Sequence, residues 1–233
     1  MSHFITAVFH HADEDIESLL APFNEQDENY MKFYPTDYSQ EELEKTYKEV
    51  KEVLGYKTWD EFMRKYYGFI QNEDGEWGYM SNSNAKWDWY QVGGRWNGFF
   101  RTKDGQDSNE ALAKDLDLSP DPEVYRHALR FWEVVVEGSP LQGGEEEADF
   151  FSIYKPAYYI DQYGDKEHYA QSASSQAPWA FVTADGDWLE KGQMGWWCVS
   201  DATQETRSTF EDAYRQYVAD HPDLVVTAVD CHI

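Results

Sequence analysis

The chain reads as an α+β protein: a mostly antiparallel sheet with helices packed on one face and the N- and C-terminal strands central. Three observations predict this. The segments at the two ends, HFITAVFH (3–10) and LVVTAVDCHI (224–233), are short, apolar and rich in β-formers. Asp-Gly pairs at 74–75, 104–105 and 185–186 sit between strand-like runs, which is hairpin chemistry. Helix signals are interspersed without a regular strand–helix–strand rhythm, which separates the pattern from a parallel α/β design. With 233 residues, 17% of them aromatic, one core can cover the chain. We expect a single domain over 1–233 with a helical insertion at about 38–68.

Each element follows from local signals. DEDIESLLAPF (13–23) has acids ahead of an apolar run and predicts a short helix. Residues 24–37 are polar and predict irregular structure. Ser39 and Glu42 form a capping box for a helix running to Leu54 with Gly55 as its stop, and Leu43, Tyr47, Val50 and Leu54 give it a buried stripe. Thr58 and Glu61 start a second helix that stops at Gly68. FIQNEDGEWGYM (69–80) then predicts a hairpin, and KWDWYQ and RWNGFFRT predict strands around Gly93-Gly94. SPDP (119–122) starts a helix to about Val136, since proline is tolerated in a first turn. FFSIYKPAYYI (150–160) reads as a strand interrupted by Pro156, followed by a short helix near 165–170. A hairpin around Asp185-Gly186, a helix supported by Ser208 and Glu211, and the last strand complete the chain.

Net charge is −26, with 45 acidic against 19 basic residues. Such a field disfavours direct binding of nucleic acid and favours partners with basic surfaces. The two cysteines do not make a disulfide framework, and no leader-like or membrane-spanning run is read, so the cytoplasm is the expected compartment. No P-loop, dinucleotide, zinc or calcium spacing is present, and neither cofactor nor metal is expected.

The richest stretch is SNSNAKWDWYQVGGRW (81–96). On one strand Trp87, Trp89 and Gln91 would share a face, with Lys86, Asp88 and Tyr90 on the other. Gly93 and Gly94 allow close backbone approach, and Arg95 stands beside Trp96. As a core hairpin, the indoles fill the interior. As a pocket wall, Lys86, Trp87, Trp89, Tyr90, Gly93, Gly94, Arg95 and Trp96 would stack a planar group and pair an anion. Trp196 and Trp197, in GQMGWW (192–197), would join the same aromatic surface. A polar cluster is also expected at the end of the chain. Asp230 and His232 share a strand face, and a first-strand histidine, His10 or His3, reaches them if the terminal strands pair. Cys198 and Cys231 read as buried apolar residues.

Four pieces together, MSHF (1–4), NAKWDWYQVGGRW (84–96), GQMGWW (192–197) and VDCHI (229–233), resemble a family of uncharacterised proteins of tailed phages and prophages. Its members often carry Asn-Pro-Asn-Ser before the tryptophan motif, where this chain has Asn82-Ser83-Asn84-Ala85. The resemblance implies a phage setting in the host cytoplasm and carries no catalytic residues with it. The expected function is an accessory protein that binds and inhibits a host factor, such as a defence nuclease, through an acidic surface. Two alternatives stand beside it: a small-ligand binder, for instance a sponge for a nucleotide messenger, and a hydrolase-type enzyme using the His/Asp cluster. The aromatic surplus also suits a homodimer.

Overall fold

The computed structural model describes residues 2–195 and 200–233. The strands are β1 (His3–His10), β2 (Lys32–Pro35), β3 (Ile70–Gln71), β4 (Trp77–Ser81), β5 (Trp89–Val92), β6 (Phe100–Arg101), β7 (Asp107–Ser108), β8 (Glu110–Leu112), β9 (Ala180–Val182), β10 (Trp188–Glu190) and β11 (Val225–His232). The helices are α1 (Ile16–Leu20), α2 (Gln40–Leu54), α3 (Trp59–Tyr66), α4 (Pro122–Val135), α5 (Pro156–Tyr163), α6 (Lys166–Ser174) and α7 (Gln204–Asp220). The chain is α+β, and it divides into two compact units, Met1–Leu20 with Trp89–Ile233, and Ala21–Asp88.

The larger unit is built on a sheet of order β10-β9-β1-β11-β5, with β8 also beside β11. The terminal strands are neighbours in its middle, antiparallel over their whole length from His3 opposite His232 to His10 opposite Val225. Among the described residues of this sheet, β1 and β9 run parallel and the other pairs are antiparallel. On one face Ile5, Ala7, Phe9, Val226 and Ala228 pack with Phe181 against Phe210, Tyr214 and Val218 of α7. On the other face Thr6, Val8, Val182, Val229 and Cys231 are wholly buried too. Burial on both faces accounts for the unbroken apolar runs at the chain ends, where a one-sided strand would alternate.

A helical group, α4, α5 and α6, surrounds a second cluster of Phe131, Trp132, Phe150 and Tyr159, with Tyr169 packed against it. Asp121 caps α4 by accepting from the backbone N–H groups of Glu123 and Val124. Arg130 ties the glycine- and glutamate-rich break to this helix. It donates to both carboxylate oxygens of Glu145 at 2.8 and 2.9 Å and to the carbonyl of Pro140 at 2.8 Å.

The smaller unit carries the helical pair and a sheet of order β2-β4-β3. Leu43, Phe62, Met63 and Phe69 form its core. The Ser39–Glu42 capping box is present as expected. Thr58 accepts from the Glu61 amide, but the Glu61 carboxylate accepts from the Lys57 amide instead of closing the box. Of the expected stripe on α2, Leu43 is buried and Leu54 is exposed.

Several expectations are corrected. The helical pair expected at 38–68 is present as α2 and α3. It lies inside a unit of residues 21–88 with its own strands, because β2 and β4 pair across it and enclose a separate core. Residues 32–35, expected to be irregular, form a strand paired with β4. Gly93-Gly94 makes no hairpin: β5 pairs with β11, and β6 pairs with β7. Pro156 does not interrupt a strand. It starts α5, at the position where its missing N–H is harmless. Helix α7 begins one turn before Ser208, capped by Thr203.

Candidate functional site

The register of the central strands assembles a polar cluster at one end of the sheet. His3 lies opposite His232, Trp89 opposite His232 and Gln91 opposite Asp230. Alternation then places His3, Asp230, His232, Trp89 and Gln91 on one face. His3 Nδ1 is 2.8 Å from Asp230 Oδ1, and the Arg95 amide donates to Asp230 Oδ2 at 3.0 Å. Asp230 is only 2% exposed, so these contacts replace its hydration. With the carboxylate accepting at both oxygens, Nδ1 of His3 carries the hydrogen, and Nε2 is the ring's other nitrogen. The His3 and His232 rings are 4.8 Å apart, and the Trp89 ring lies edge-on to His3 at 6.3 Å.

The glycine pair has a definite physical role here. Gly94 has φ 52°, and a Cβ on it would sit 2.5 Å from Asp230 Cβ and Oδ2. Gly93 has φ 70°, and its Cβ would meet the Asn109 side chain at 2.5 Å. The turn therefore presses its backbone onto two polar side chains, which only glycine permits. Asn109 holds the same turn through the Gly98 amide and the Asn97 side chain.

The remaining motif residues separate. Trp89 is 49% exposed, and Arg95 is exposed. Tyr90 points to the opposite face with Cys231, and burial raises its phenol pKa. Trp96 packs against the main core. Lys86 and Trp87 belong to the smaller unit, where Trp87 is 5% exposed and bridges to Asn24. Trp87 and Trp89 do not share a strand: β5 begins only at Trp89, and Trp87 is buried in the smaller unit. The loop before it bonds its own surroundings, Asn82 Nδ2 donating to the carbonyls of Pro22 and Asn24, both at 2.9 Å. Trp196, Trp197 and Cys198, also singled out from the sequence, lie outside the described residues.

His10 does not belong to the cluster, which corrects one expected member. It sits at the far end of β1 on the other face, with Nδ1 2.9 Å from the His11 carbonyl and Nε2 2.9 Å from Thr227 Oγ1. His3 occupies the expected place. The signal for this choice was available in the pairing of two eight-residue terminal strands, which sets the first histidine against the last.

An oriented Asp–His pair can serve as a general base or as a hydrogen-bond acceptor for a ligand. Cys231 is on the opposite face, and burial pushes its thiol up to about 12. Among the described residues no group of three or more His, Cys, Asp or Glu side chains is arranged to hold a metal ion.

A second surface feature was missed in the sequence. The segment leading into α5 exposes Phe151 and Ile153, each 76% accessible, together with Tyr154, Tyr158 and Ile160. Tyr154 and Tyr158 stack at 4.1 Å. Glu145, Glu146, Glu147 and Asp149 precede it. Acidity itself is not localised: residues 21–88 hold 15 acidic against 8 basic side chains, and the rest of the chain 30 against 11. No described helix is long and apolar enough to cross a membrane. The chain matches no protein-family model, no curated protein and no solved structure.

Proposed function

We propose that the chain is a non-catalytic accessory protein that docks on a host protein with a basic, partly apolar surface. The docking segment is 151–160, and the observation that carries this reading is the exposure of Phe151 and Ile153 on an otherwise strongly acidic protein. Burying either side chain in a partner contributes about 1.5–3 kcal/mol before association costs. The surrounding carboxylates would steer a basic partner and make binding salt-sensitive. Because acidic groups are spread over both units, charge selects the sign of the partner and the apolar segment selects the place. The resemblance to phage proteins supports a host target, of which a defence nuclease is one class. The test is mass spectrometry of proteins that co-purify with the wild type and with the Phe151→Ser, Ile153→Ser double variant, at low and high salt. A partner that is lost with the double variant and weakened by salt is expected. An identical set of partners on both proteins would overturn the reading.

A second reading rests on a different observation, the His3–Asp230 pair beside a half-exposed indole and the exposed Arg95. That arrangement suits a small anionic, planar ligand such as a nucleotide. Its test is thermal melting with a nucleotide panel, where a ligand-dependent rise that disappears in Trp89→Ala is expected.

A further inference from the structure

Helices α5, α6 and α7 meet around a small cavity of about 70 Å³. Tyr163, His168, Ser172, Gln204, Arg207 and Ser208 line it, together with Glu211. Arg207 is the unusual member. Its Nη1 is buried and has no hydrogen-bond partner among the described residues. Its guanidinium carbon lies 4.8 Å from the centre of the Tyr163 ring, so one face of the fork is held on an aromatic surface. A buried guanidinium nitrogen without an acceptor is costly, and native structures rarely keep one without a reason.

The rest of the lining supplies donors. Ser172 and Ser208 bring hydroxyls, and Gln204 brings a side-chain amide. Asp165 Oδ1 lies 2.8 Å from Nδ1 of His168, which leaves Nε2 as the other nitrogen of that ring. Glu211 would oppose an anion, but its Oε1 is 3.7 Å from the Lys191 ammonium, which offsets its charge. A site of this size holds a few water positions, on the order of five at about 10–15 Å³ each. One oxyanion group fits a space of this size.

We propose that this cavity binds a single tetrahedral oxyanion, either inorganic phosphate or the phosphate of a small monoester, held by Arg207 with Ser172 and Ser208. The guanidinium fork meets phosphate oxygens in its own plane, and hydroxyl donors suit the oxygens that lie out of that plane. The test of this site reads phosphate binding and that of the docking segment reads partner capture, so the failure of one is distinguishable from the failure of the other.

The experiment is thermal melting of the full chain at constant ionic strength, balanced with chloride, in rising inorganic phosphate, glycerol phosphate or acetate. Phosphate should raise the melting temperature in a saturable way, and acetate and chloride should not. A larger response to glycerol phosphate than to inorganic phosphate identifies a monoester as the source; the reverse identifies the free ion. Arg207→Gln should abolish the response. Should that variant fail to fold, Ser208→Ala removes one exposed hydroxyl and should raise the half-saturating concentration roughly fivefold. A wild type that melts alike in phosphate and chloride, or a response unchanged in either variant, overturns the site.

Discussion

The two ends of the β1–β11 pair treat a histidine in opposite ways. At one end both ring nitrogens of His10 have partners within the protein, the His11 carbonyl and the Thr227 hydroxyl. At the other end one nitrogen of His3 is held by a buried carboxylate, and a half-exposed tryptophan stands next to the ring. The first arrangement is closed and structural. The second is oriented and can act on a ligand. The difference comes from which side chain the register sets near each histidine, a threonine in one case and an aspartate in the other. It teaches that a histidine in a central strand is judged by its partners and not by its burial alone.

The largest way to break this comparison is Asp230→Ala. It strips acceptors from His3 and from the Arg95 amide at once, and the loss should be about 3 kcal/mol in chemical denaturation. Gly94→Ala attacks the same end through the backbone, where φ 52° and the contact with Asp230 should cost roughly 2 kcal/mol in the same measurement. Thr227→Val tests the closed end. It removes one partner of His10 without changing shape, and about 1 kcal/mol is expected. If Thr227→Val costs more than Asp230→Ala, the ranking of the two ends is wrong.

The smallest effect is an acid control away from both ends. Arg130 and the Gln142 amide hold the Glu145 carboxyl at about 2, below its ordinary 4.5. A depressed acid contributes stability above its unfolded value and loses it as pH falls through the folded one. The pair should therefore stabilise the protein fully above about 4.5 and fade toward pH 2. Melting curves of Arg130→Gln across that window should show a weaker pH dependence than the wild type. An unchanged profile would mean that the break at 138–149 is held by something else.

Much of the architecture was legible because its signals are local. Ser39 and Glu42 cap α2, and the Asp-Gly pairs turn three hairpins, whatever the rest of the chain does. The site was legible in part. Asp230 and His232 were singled out from strand alternation, and the glycine pair from its permissiveness. Their meeting depends on β5 pairing with β11, which is a long-range event. The same dependence explains the errors. KPAYYI has the composition of a strand and the first-turn proline of a helix, and packing around Tyr159 chose the helix. Trp87 and Trp89 are two residues apart, yet the boundary between units falls between them.

Residue order alone settled where helices start and stop, where hairpins turn, and that the terminal strands are core strands, since these rest on nearest-neighbour sterics and on apolar content. Long-range pairing settled the rest: His3 in place of His10 beside Asp230, the glycine turn pressed onto that carboxylate, and Arg207 set over the Tyr163 ring at the wall of a cavity. No local rule encodes those, because each joins residues whose separation in the chain is large and whose contact exists only once the sheet and helices have closed.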